Sequence, residues 1–436
     1  MVVTVKRIVS TRVEAPDPFL FRQLAKIFIC SSSVHRSGWL PSAPESPVRM
    51  ASSLAAALRA TARAGSAARG LERRASCRAA SSSGRSARSA STEPPTVPAP
   101  APPLRLYYSD WAKVNLPDKH RFPMDKYRAT RLLLEADLSL RGRVEMVRSP
   151  EASLEDVLRV HDREYVSRVM RCALTEKEAR AIGFPMQNPE QVTRSFASTG
   201  GTIAATRDVL RSLAGDEPHA NKVAAQIAGG THHAFADSGE GFCVFNDIAC
   251  AANVALAERG DVLFARSATP ILVIDLDVHQ GNGTAKIFET NDAVVTFSMH
   301  GAGNYPWKTK MRSNHDVDLP DDTDDDAYLS TLQTWLPFLF DTYRPALVFY
   351  QAGVDALRED SFGRLAMSRN GLLKRNNLVY DFCARNDAAL VVTMGGGYSR
   401  PFDASVAAHA DVFRSAAYRF GGGNVGSLKG VRVKER

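Results

Sequence analysis

Side chains that can bind metals or move protons follow several apolar, strand-like stretches of this 436-residue chain. His232 and His233 follow VAAQIAGGT, Asp277 and His279 follow ILVIDL, Asp355 follows LVFYQAGV, and Tyr398 follows LVVTMGGG. In open parallel sheets, ligands bind beyond the carboxyl ends of the strands. We therefore expect these six side chains to meet in one site, where the neighbouring glycines let backbone and ligand approach closely.

Asp277, His279 and Asp355 form a candidate set of metal ligands. Asp277 and His279 are two residues apart at a strand end, so their side chains point the same way. Three nitrogen and oxygen ligands with an open fourth position suit a catalytic Zn²⁺ ion. Fe²⁺ and Mn²⁺ accept the same ligands, so the residue types alone do not choose among these metals.

His232 and His233 are candidates for proton transfer, because histidine titrates near neutrality. Such a pair can take a proton from an attacking water molecule and return it to a leaving group. Asp275 and Asn282 are the expected partners that fix the tautomers of the two rings. Tyr398 is a candidate donor to the negative charge that develops on a substrate carbonyl oxygen.

The elements that must position these residues alternate between strand-like and helix-like patterns. The strand candidates are Lys222–Ala228, Ile271–Leu276, Val294–Ser298, Ala346–Tyr350 and Leu390–Met394. The helix candidates between them are Asn246–Arg259, Gly283–Glu289, Asp326–Tyr343 and Gly371–Arg385. Short strands that are apolar on both faces and separated by helices indicate a parallel α/β sheet.

The chain has three parts of different composition. Residues 1–103 are a predicted leader, in which residues 51–90 hold eight Arg, no Lys and one acidic residue. This composition is typical of an organelle transit peptide, and a Pro-rich linker follows it. Met50 begins the transit-like segment and is an alternative start of the protein. Residues 104–420 are the predicted folded domain, and residues 421–436 are a predicted flexible basic tail.

The leader predicts a plastid or mitochondrial protein, and the alternative is a nuclear or cytoplasmic protein with a basic tail. The leader carries 15 Lys and Arg against five Asp and Glu, whereas the other 333 residues carry 40 against 42. The folded part therefore has no electrostatic attraction to nucleic acid. No apolar run reaches the roughly 18 residues of a membrane helix. The six cysteines form no paired framework, which indicates a reducing compartment.

Together, these motifs resemble the zinc-dependent histone deacetylase family of the arginase/deacetylase superfamily. The matching segments, in family order, are His232-His233, Gly241-Phe242-Cys243 with Asn246-Asp247, Asp275 to Gly283, Ser298-Met299-His300, Gln351 to Asp355 and Gly395 to Tyr398. They span the whole predicted domain. The residue choices are closer to class IV members and bacterial relatives than to class I.

The resemblance implies an arginase/deacetylase fold, which is a single domain with an eight-stranded parallel sheet flanked by helices. It implies zinc on Asp277, His279 and Asp355, and a general base and acid pair formed by His232 and His233. It implies a carbonyl-polarising role for Tyr398.

Two further sets of site residues follow from the resemblance. A tunnel for the acyl-lysine side chain would be lined by Gly241 and Phe242. A structural K⁺ or Na⁺ ion would lie on the side chains of Asp275 and Ser298 and on the main-chain carbonyls of Asp277, His279 and Met299.

Three positions depart from the patterns of particular subgroups. Asn282 stands where class I members carry a carboxylate, so we expect a lower pKa for His233 than an aspartate would give. Phe362, a further tunnel residue, stands where polyamine-selective members carry a glutamate, and it offers no charge to a cationic amine. The rim aspartate of class I has no clear match near residues 183–186.

The sequence therefore predicts a zinc-dependent amidohydrolase that removes acyl groups from lysine side chains of proteins. A deacylase of small acetylated amines or of long-chain acyl-lysine is an alternative on the same site. An arginase-like hydrolase with two metal ions is disfavoured, because Asn282 replaces an expected carboxylate ligand. A non-catalytic scaffold is the alternative from another class, although such a protein would be expected to have lost the ligands, histidines and tyrosine.

Overall fold

Eight short strands form one parallel sheet, and its four central strands are buried along their whole length. The computed structural model describes residues 102–117, 120–186, 188–217 and 221–422. The strands are β1 Leu104–Tyr108, β2 Val144–Arg148, β3 Val223–Gln226, β4 Ile271–Asp275, β5 Val294–Gly301, β6 His315–Leu319, β7 Leu347–Gln351 and β8 Ala389–Thr393.

Helices flank this sheet and connect its strands. They are α1 Lys126–Glu135, α2 Leu154–Leu158, α3 Arg163–Met170, α4 Glu176–Ile182, α5 Pro189–Ala214, α6 Asp247–Phe264, α7 Asn282–Ile287, α8 Asp325–Tyr343, α9 Arg369–Arg385 and α10 Asp403–Phe420, with a 3₁₀ turn at Leu138–Leu140. This architecture confirms the predicted eight-stranded parallel sheet flanked by helices.

The strand order β2-β1-β3-β8-β7-β4-β5-β6 brings four strands that are distant in sequence side by side. Their last residues are register partners: Gln226 pairs with Thr393, Thr393 with Gln351, and Gln351 with Asp275. The segments that follow β3, β8, β7 and β4 therefore leave the sheet at one level of its carboxyl edge. These segments carry the candidate site residues.

All five predicted strands are present, with ends shifted by a few residues, and so are the four predicted helices. Apolar, β-branched runs such as ILVID in β4 form strands because both faces are covered. The sequence did not predict β1, β2 or β6. The strands β2 and β6 lie at the two edges of the sheet, are only partly buried, and contain polar residues in place of an apolar run.

The predicted leader and tail are not tested by the structure. Residues 1–103 lie outside the described residues apart from 102 and 103, and residues 421–436 apart from 421 and 422. Within the described ranges, no helix is both long and apolar enough to cross a membrane. The four cysteines in those ranges are free, in line with the absence of a paired framework in the sequence.

Candidate active site

The three predicted metal ligands lie together, buried beyond the ends of β4 and β7. Asp277 and His279 follow β4, and Asp355 follows β7. The Nδ1 atom of His279 lies 2.9 Å from Oδ1 of Asp277 and 3.1 Å from Oδ2 of Asp355. One donor atom from each residue lies within 4.8 Å of the other two. The adjacent, register-matched strands β4 and β7 thus bring together side chains that are 76 residues apart.

These residues fit a divalent metal ion. Two carboxylates and one imidazole are a typical donor set for catalytic zinc. Burial, together with repulsion from Asp277, raises the pKa of Asp355 to about 7, because two buried carboxylates at this distance oppose each other's ionisation. A bound divalent cation would remove that repulsion.

At two glycines, the backbone passes so close to the carboxylates of Asp277 and Asp355 that no side chain would fit. A Cβ atom at Gly396 would lie 2.0 Å from Oδ2 of Asp355, and one at Gly353 would lie 2.1 Å from Oδ2 of Asp277. Both positions therefore need glycine for steric reasons. The backbone N–H of Gly396 also donates to Oδ2 of Asp277, at 2.8 Å, which orients that carboxylate.

Gln351 is a supporting residue whose role the sequence did not predict, although it belongs to one of the motifs. Its Nε2 donates to Oδ2 of Asp277 at 3.0 Å, and its Oε1 accepts from the backbone N–H of Gly353 at 2.9 Å. Hydrogen bonds of this kind orient ligand side chains and tune their basicity. Arg375, also buried and also missed, donates to the carbonyls of Leu276 and Gly353 and so holds the two ligand-bearing segments together.

His232 and His233 lie side by side near the ligand set, with ring centroids 4.1 Å apart. Nδ1 of His232 lies 2.6 Å from Oδ2 of Asp275, and Nδ1 of His233 lies 2.8 Å from Oδ1 of Asn282. The structure therefore pairs each histidine with the residue that the sequence indicated. With both Nδ1 atoms engaged, the Nε2 atoms are left for a substrate or water.

The environments of the two histidines have opposite effects on their pKa values. Burial lowers the pKa of His232, but the charges of Asp275 and Asp277 more than offset it and raise the pKa to about 9. Burial and the positive charges of His232 and His279 hold the pKa of His233 well below its usual range. At neutral pH His232 therefore carries a positive charge, whereas His233 is neutral.

The turn before the histidines is held by Asp247, the first residue of α6. Its carboxylate accepts hydrogen bonds from the backbone N–H groups of Gly230 and Thr231, at 3.1 and 2.7 Å. Gly229 and Gly230 have φ values of +74° and +73°, which glycine adopts without strain. The sequence GGTHH therefore folds into a sharp turn that points both histidines toward the ligand set.

Tyr398 lies on the other side of the ligand set, on the segment that follows β8. Its ring centroid is 6.4 Å from that of His279, and its backbone N–H donates to Oδ2 of Asp360 at 2.6 Å. Burial and the charges of Asp277 and Asp355 raise the pKa of its hydroxyl well above the usual value. The hydroxyl therefore stays protonated and can donate a hydrogen bond to a substrate carbonyl.

A cavity of about 430 Å³ leads from the surface to these side chains. The predicted tunnel residues Gly241, Phe242 and Phe362 all line it, together with Gly183, His233, His279, Tyr305 and Tyr398. Phe242 has a φ of +67°, a strained value for a residue with a side chain, and such strain is often found at functional sites. The apolar walls would suit the methylene chain of a lysine side chain.

The mouth of this cavity carries three arginines, two of which are paired with carboxylates outside the lining (Arg180 with Glu176, Arg364 with Asp321), and one large exposed aromatic side chain. Arg121, Arg180 and Arg364 line it, as does Trp307, which is 74% exposed. The guanidinium of Arg121 lies 4.7 Å from the ring centroid of Phe362. Among the described residues that line the cavity there is no aspartate or glutamate.

Two buried cations lie on the inner side of the site, and neither was predicted from the sequence. Lys126 donates to the carbonyls of Gly395 and Gly397, at 3.1 and 3.3 Å, and its ammonium lies 4.8 Å from the ring centroid of Tyr398. Burial lowers the pKa of Lys126 to about 8 despite nearby carboxylates. Arg194 lies beside it, and together with the histidines and Tyr398 they line an inner cavity of about 30 Å³.

The residues predicted to bind a monovalent cation lie on β4, on β5 and in the turn that follows β4. Asp275 and Ser298 are register partners at neighbouring positions of the sheet, and Met299 follows Ser298. Oδ1 of Asp275 accepts from the backbone N–H of Asp277, and Oγ of Ser298 lies 3.0 Å from Nδ1 of His300. The cation itself stays a prediction.

Comparison with known proteins agrees with this geometry. The histone deacetylase domain matches residues 120–413. An uncharacterized protein of Picosynechococcus sp. is 38% identical over 312 residues, which cover 71% of this chain and 97% of that protein. Histone deacetylase 2 of Arabidopsis thaliana is 30% identical over 288 residues, covering 64% and 70%. The crystal structure of an HDAC homolog from Aquifex aeolicus superposes with a TM-score of 0.58 at 23% identity, covering 73% and 84%.

The parallel sheet, the buried His–Asp–Asp set and the domain match together define a protein of the deacetylase and amidohydrolase class. A histone deacetylase-like amidohydrolase of Pseudomonas aeruginosa is also 29% identical over 311 residues, covering 69% of this chain and 78% of that protein. The chain belongs to the histone deacetylase family.

Proposed function

We propose that this protein hydrolyses the amide bond of acetyl-lysine side chains in proteins. The observation that carries the proposal is the convergence of three groups at the inner end of one cavity. These groups are the buried ligand set of Asp277, His279 and Asp355, the histidine pair, and the protonated hydroxyl of Tyr398. A lysine side chain could reach them through the cavity while its protein stays outside.

A zinc ion held by Asp277, His279 and Asp355 would supply Lewis acidity to a substrate carbonyl and to a water molecule; Fe²⁺ or Mn²⁺ would supply the same chemistry. Nε2 of His233 would accept a proton from the attacking water, because the low pKa of His233 keeps the ring neutral and its Nδ1 is held by Asn282. His232, held by Asp275, would support positive charge beside it. The hydroxyl of Tyr398 would donate to the developing oxyanion, and the histidine pair would return a proton to the departing amine.

The inner cavity favours short acyl groups. Its volume of about 30 Å³ is enough for only a few small atoms, since about 10–15 Å³ of such space already holds one water molecule. An acetyl methyl group fits such a space, whereas a long acyl chain would require Lys126, Tyr127 or Arg194 to move. All three are substantially buried. We therefore place acetyl-lysine ahead of long-chain acyl-lysine.

The mouth disfavours small cationic amines as substrates. Acetylated polyamines carry positive charge beyond the amide, and Arg121 lines the mouth with no ion pair among the described residues, whereas Arg180 and Arg364 are paired with Glu176 and Asp321. Phe362 contributes an aromatic ring at the position where a polyamine-selective enzyme would need a negative charge. A protein segment with acidic residues beside the acetyl-lysine suits this mouth better.

The decisive experiment uses the full chain and measures release of acyl groups from lysine peptides, with and without a chelator. Acetyl, butanoyl and myristoyl peptides are compared at equal concentration, and acetylated putrescine represents small amines. Chelator-sensitive release that is fastest for acetyl peptides is the expected result. Faster release from myristoyl peptides, or from acetylated putrescine, would replace the proposed substrate class by one of the two alternatives. No release from any substrate by a folded, metal-loaded protein would favour the scaffold.

The composition of the leader supports an organellar location, which we propose as the place of action. Fusing a fluorescent protein to residues 1–103, and separately to residues 50–103, tests this proposal and the alternative start at Met50. Import of the second fusion into a plastid or mitochondrion would support both. Nuclear or cytoplasmic fluorescence from both fusions would contradict the organellar location.

A further inference from the structure

Glu240 is a carboxylate that the mechanism above does not use, although only the amide of Asn282 separates it from His233. It precedes the tunnel residues Gly241 and Phe242. Nδ2 of Asn282 donates to Oε1 of Glu240 at 2.6 Å, and the hydroxyl of Thr309 donates to the same oxygen at 3.2 Å. Asn282 in turn lies 2.8 Å from Nδ1 of His233. A chain of hydrogen bonds therefore runs from Glu240 through Asn282 to His233.

The amide of Asn282 has two different ends, and its surroundings decide which end faces His233. Its Nδ2 has two acceptors, the carboxylate of Glu240 and the main-chain carbonyl of Thr309, at 2.6 and 3.0 Å. A flipped amide would direct its oxygen at both of these acceptors. Only the observed orientation satisfies the donors, and it presents Oδ1 to His233. His233 must then carry its proton on Nδ1, which leaves Nε2 free to accept a proton.

Glu240 also contacts the wall of the cavity on the far side of His233. The Glu240 carboxylate lies near the hydroxyl of Tyr305, where it adds to the effect of burial in raising the pKa of that hydroxyl. The ring of Tyr305 packs against that of His233 with centroids 5.0 Å apart and planes at 85°. A Cβ atom at Gly241 would lie 2.6 Å from Cδ2 of His233, so the turn that carries Glu240 touches the same ring. Glu240 thus connects three segments that surround His233.

The partners of Glu240 distinguish it from an ordinary surface carboxylate. Within the described part of the chain, no Lys or Arg lies within salt-bridge distance of Glu240, and its carboxylate accepts hydrogen bonds from the amide of Asn282 and the hydroxyl of Thr309. A carboxylate accepting from an amide forms a short, strong hydrogen bond. The 2.6 Å contact to Asn282 has this character.

We infer that Glu240 is a positioning residue, which fixes the amide orientation of Asn282 and through it the tautomer of His233. The inference rests on the proposed function in one respect, namely that His233 accepts the proton. Glu240 itself does not touch the substrate in this arrangement. Removing it should therefore lower turnover without weakening substrate binding.

The first test compares Glu240→Ala, Glu240→Gln and the control Asp237→Ala in the full, metal-loaded chain. Asp237 is an exposed carboxylate on the same loop. Among the described residues, its side chain accepts a hydrogen bond only from the hydroxyl of Ser238. We expect Glu240→Ala to lower kcat about 10- to 100-fold with little change in KM, metal content or Tm. Glu240→Gln keeps an oxygen that accepts from Asn282 and should retain most of the activity, as should Asp237→Ala.

The second test does not depend on activity. In ¹⁵N-histidine-labelled protein, the ring nitrogen shifts of His233, assigned with a His233→Gln variant, report its tautomer directly. The wild type and Glu240→Gln should show the proton on Nδ1, and Glu240→Ala should show a mixture. A Glu240→Ala protein that keeps both its kcat and the Nδ1-protonated tautomer would overturn the inference. An inactive wild type with the expected tautomers would instead count against the proposed function alone.

If Glu240→Ala does not fold, two variants that exchange the amide at position 282 and the carboxylate at position 240 test the same contact. Asn282→Asp places two carboxylates in contact and should lower kcat. Adding Glu240→Gln restores a donor to the new aspartate, so the double variant should be more active than Asn282→Asp alone. A double variant that is no better than the single one would contradict a direct coupling between positions 240 and 282.

Discussion

At the scale of single residues, two adjacent histidines acquire different chemistry from different partners. The carboxylate of Asp275 raises the pKa of His232 to about 9 against the effect of burial. His233, paired with the neutral amide of Asn282, has a pKa well below the usual range because of burial and neighbouring positive charge. His233 therefore stays neutral down to acidic pH.

Replacing Tyr398 by phenylalanine tests the role of its hydroxyl. Tyr398→Phe keeps the ring that packs against Phe362 and Phe242 but removes the donor to the oxyanion. We expect kcat to fall about 10²- to 10³-fold while metal content and Tm stay unchanged. Steady-state kinetics on an acetyl-lysine peptide measures this, and an unchanged kcat would remove Tyr398 from the mechanism.

At the scale of elements, the turns after the strands determine whether the carboxylates of Asp277 and Asp355 can lie beside each other. The segment after β8 passes so close to the carboxylates that Gly396 has no room for a side chain. We predict that Gly396→Ala displaces Asp355 or Asp277 and lowers metal affinity about 10- to 100-fold. Gly260→Ala is the matched control, because a Cβ atom there meets only a side chain at 3.9 Å. Metal content after gel filtration separates the two variants, and equal content would contradict the steric explanation.

His161, in the connection between α2 and α3, ties these helices to the loop that carries the histidine pair. Its Nε2 accepts from the backbone N–H of Asn246 at 2.9 Å, and its Nδ1 lies 3.3 Å from the carbonyl of Ala236. Burial lowers its pKa to about 4, against about 6.5 in an unfolded chain. Between these two pH values the unfolded state binds a proton that the folded state does not. Stability is therefore lost as pH falls from 6.5 toward 4.

The variant His161→Gln removes this titration while keeping a donor and an acceptor. We predict that it loses less stability than the wild type between pH 7 and pH 5, by about 2 kcal/mol for a pKa depressed to this extent. Urea unfolding at the two pH values gives the difference. An equal loss in both proteins would show that His161 does not contribute to acid sensitivity.

At the scale of the whole molecule, binding of a metal ion should stabilise the fold, because its ligands come from segments after two strands. The proton competes with the metal, since burial and repulsion from Asp277 raise the pKa of Asp355 to about 7 and the two carboxylates raise that of His279 to about 10. We predict that zinc added to chelator-treated protein raises Tm more at pH 8 than at pH 6. Asp277→Asn is the control, and a Tm increase that is independent of pH would contradict the prediction.

The sequence by itself determined the buried strands and the residues directly after them. Asp277, His279, Asp355, both histidines and Tyr398 could be predicted because each follows a buried strand or a glycine turn, and both features are local in sequence. The apolar pattern of β3, β4, β7 and β8 likewise predicted a parallel sheet. The edge strands β2 and β6 were not predicted, because half-exposed strands have no continuous apolar run in their sequence.

Only the tertiary structure decided which distant residues support the site. The fold brings Lys126, Glu240 and Gln351 to the same carboxyl edge, although Lys126 and Glu240 lie in no local pattern that marks such a role and the motif that contains Gln351 does not reveal its partners. The orientation of an amide such as Asn282 depends on acceptors that other segments provide. Residue type and spacing specify which chemistry is available, whereas hydrogen-bond partners and cavity volume depend on distances that only the folded chain sets.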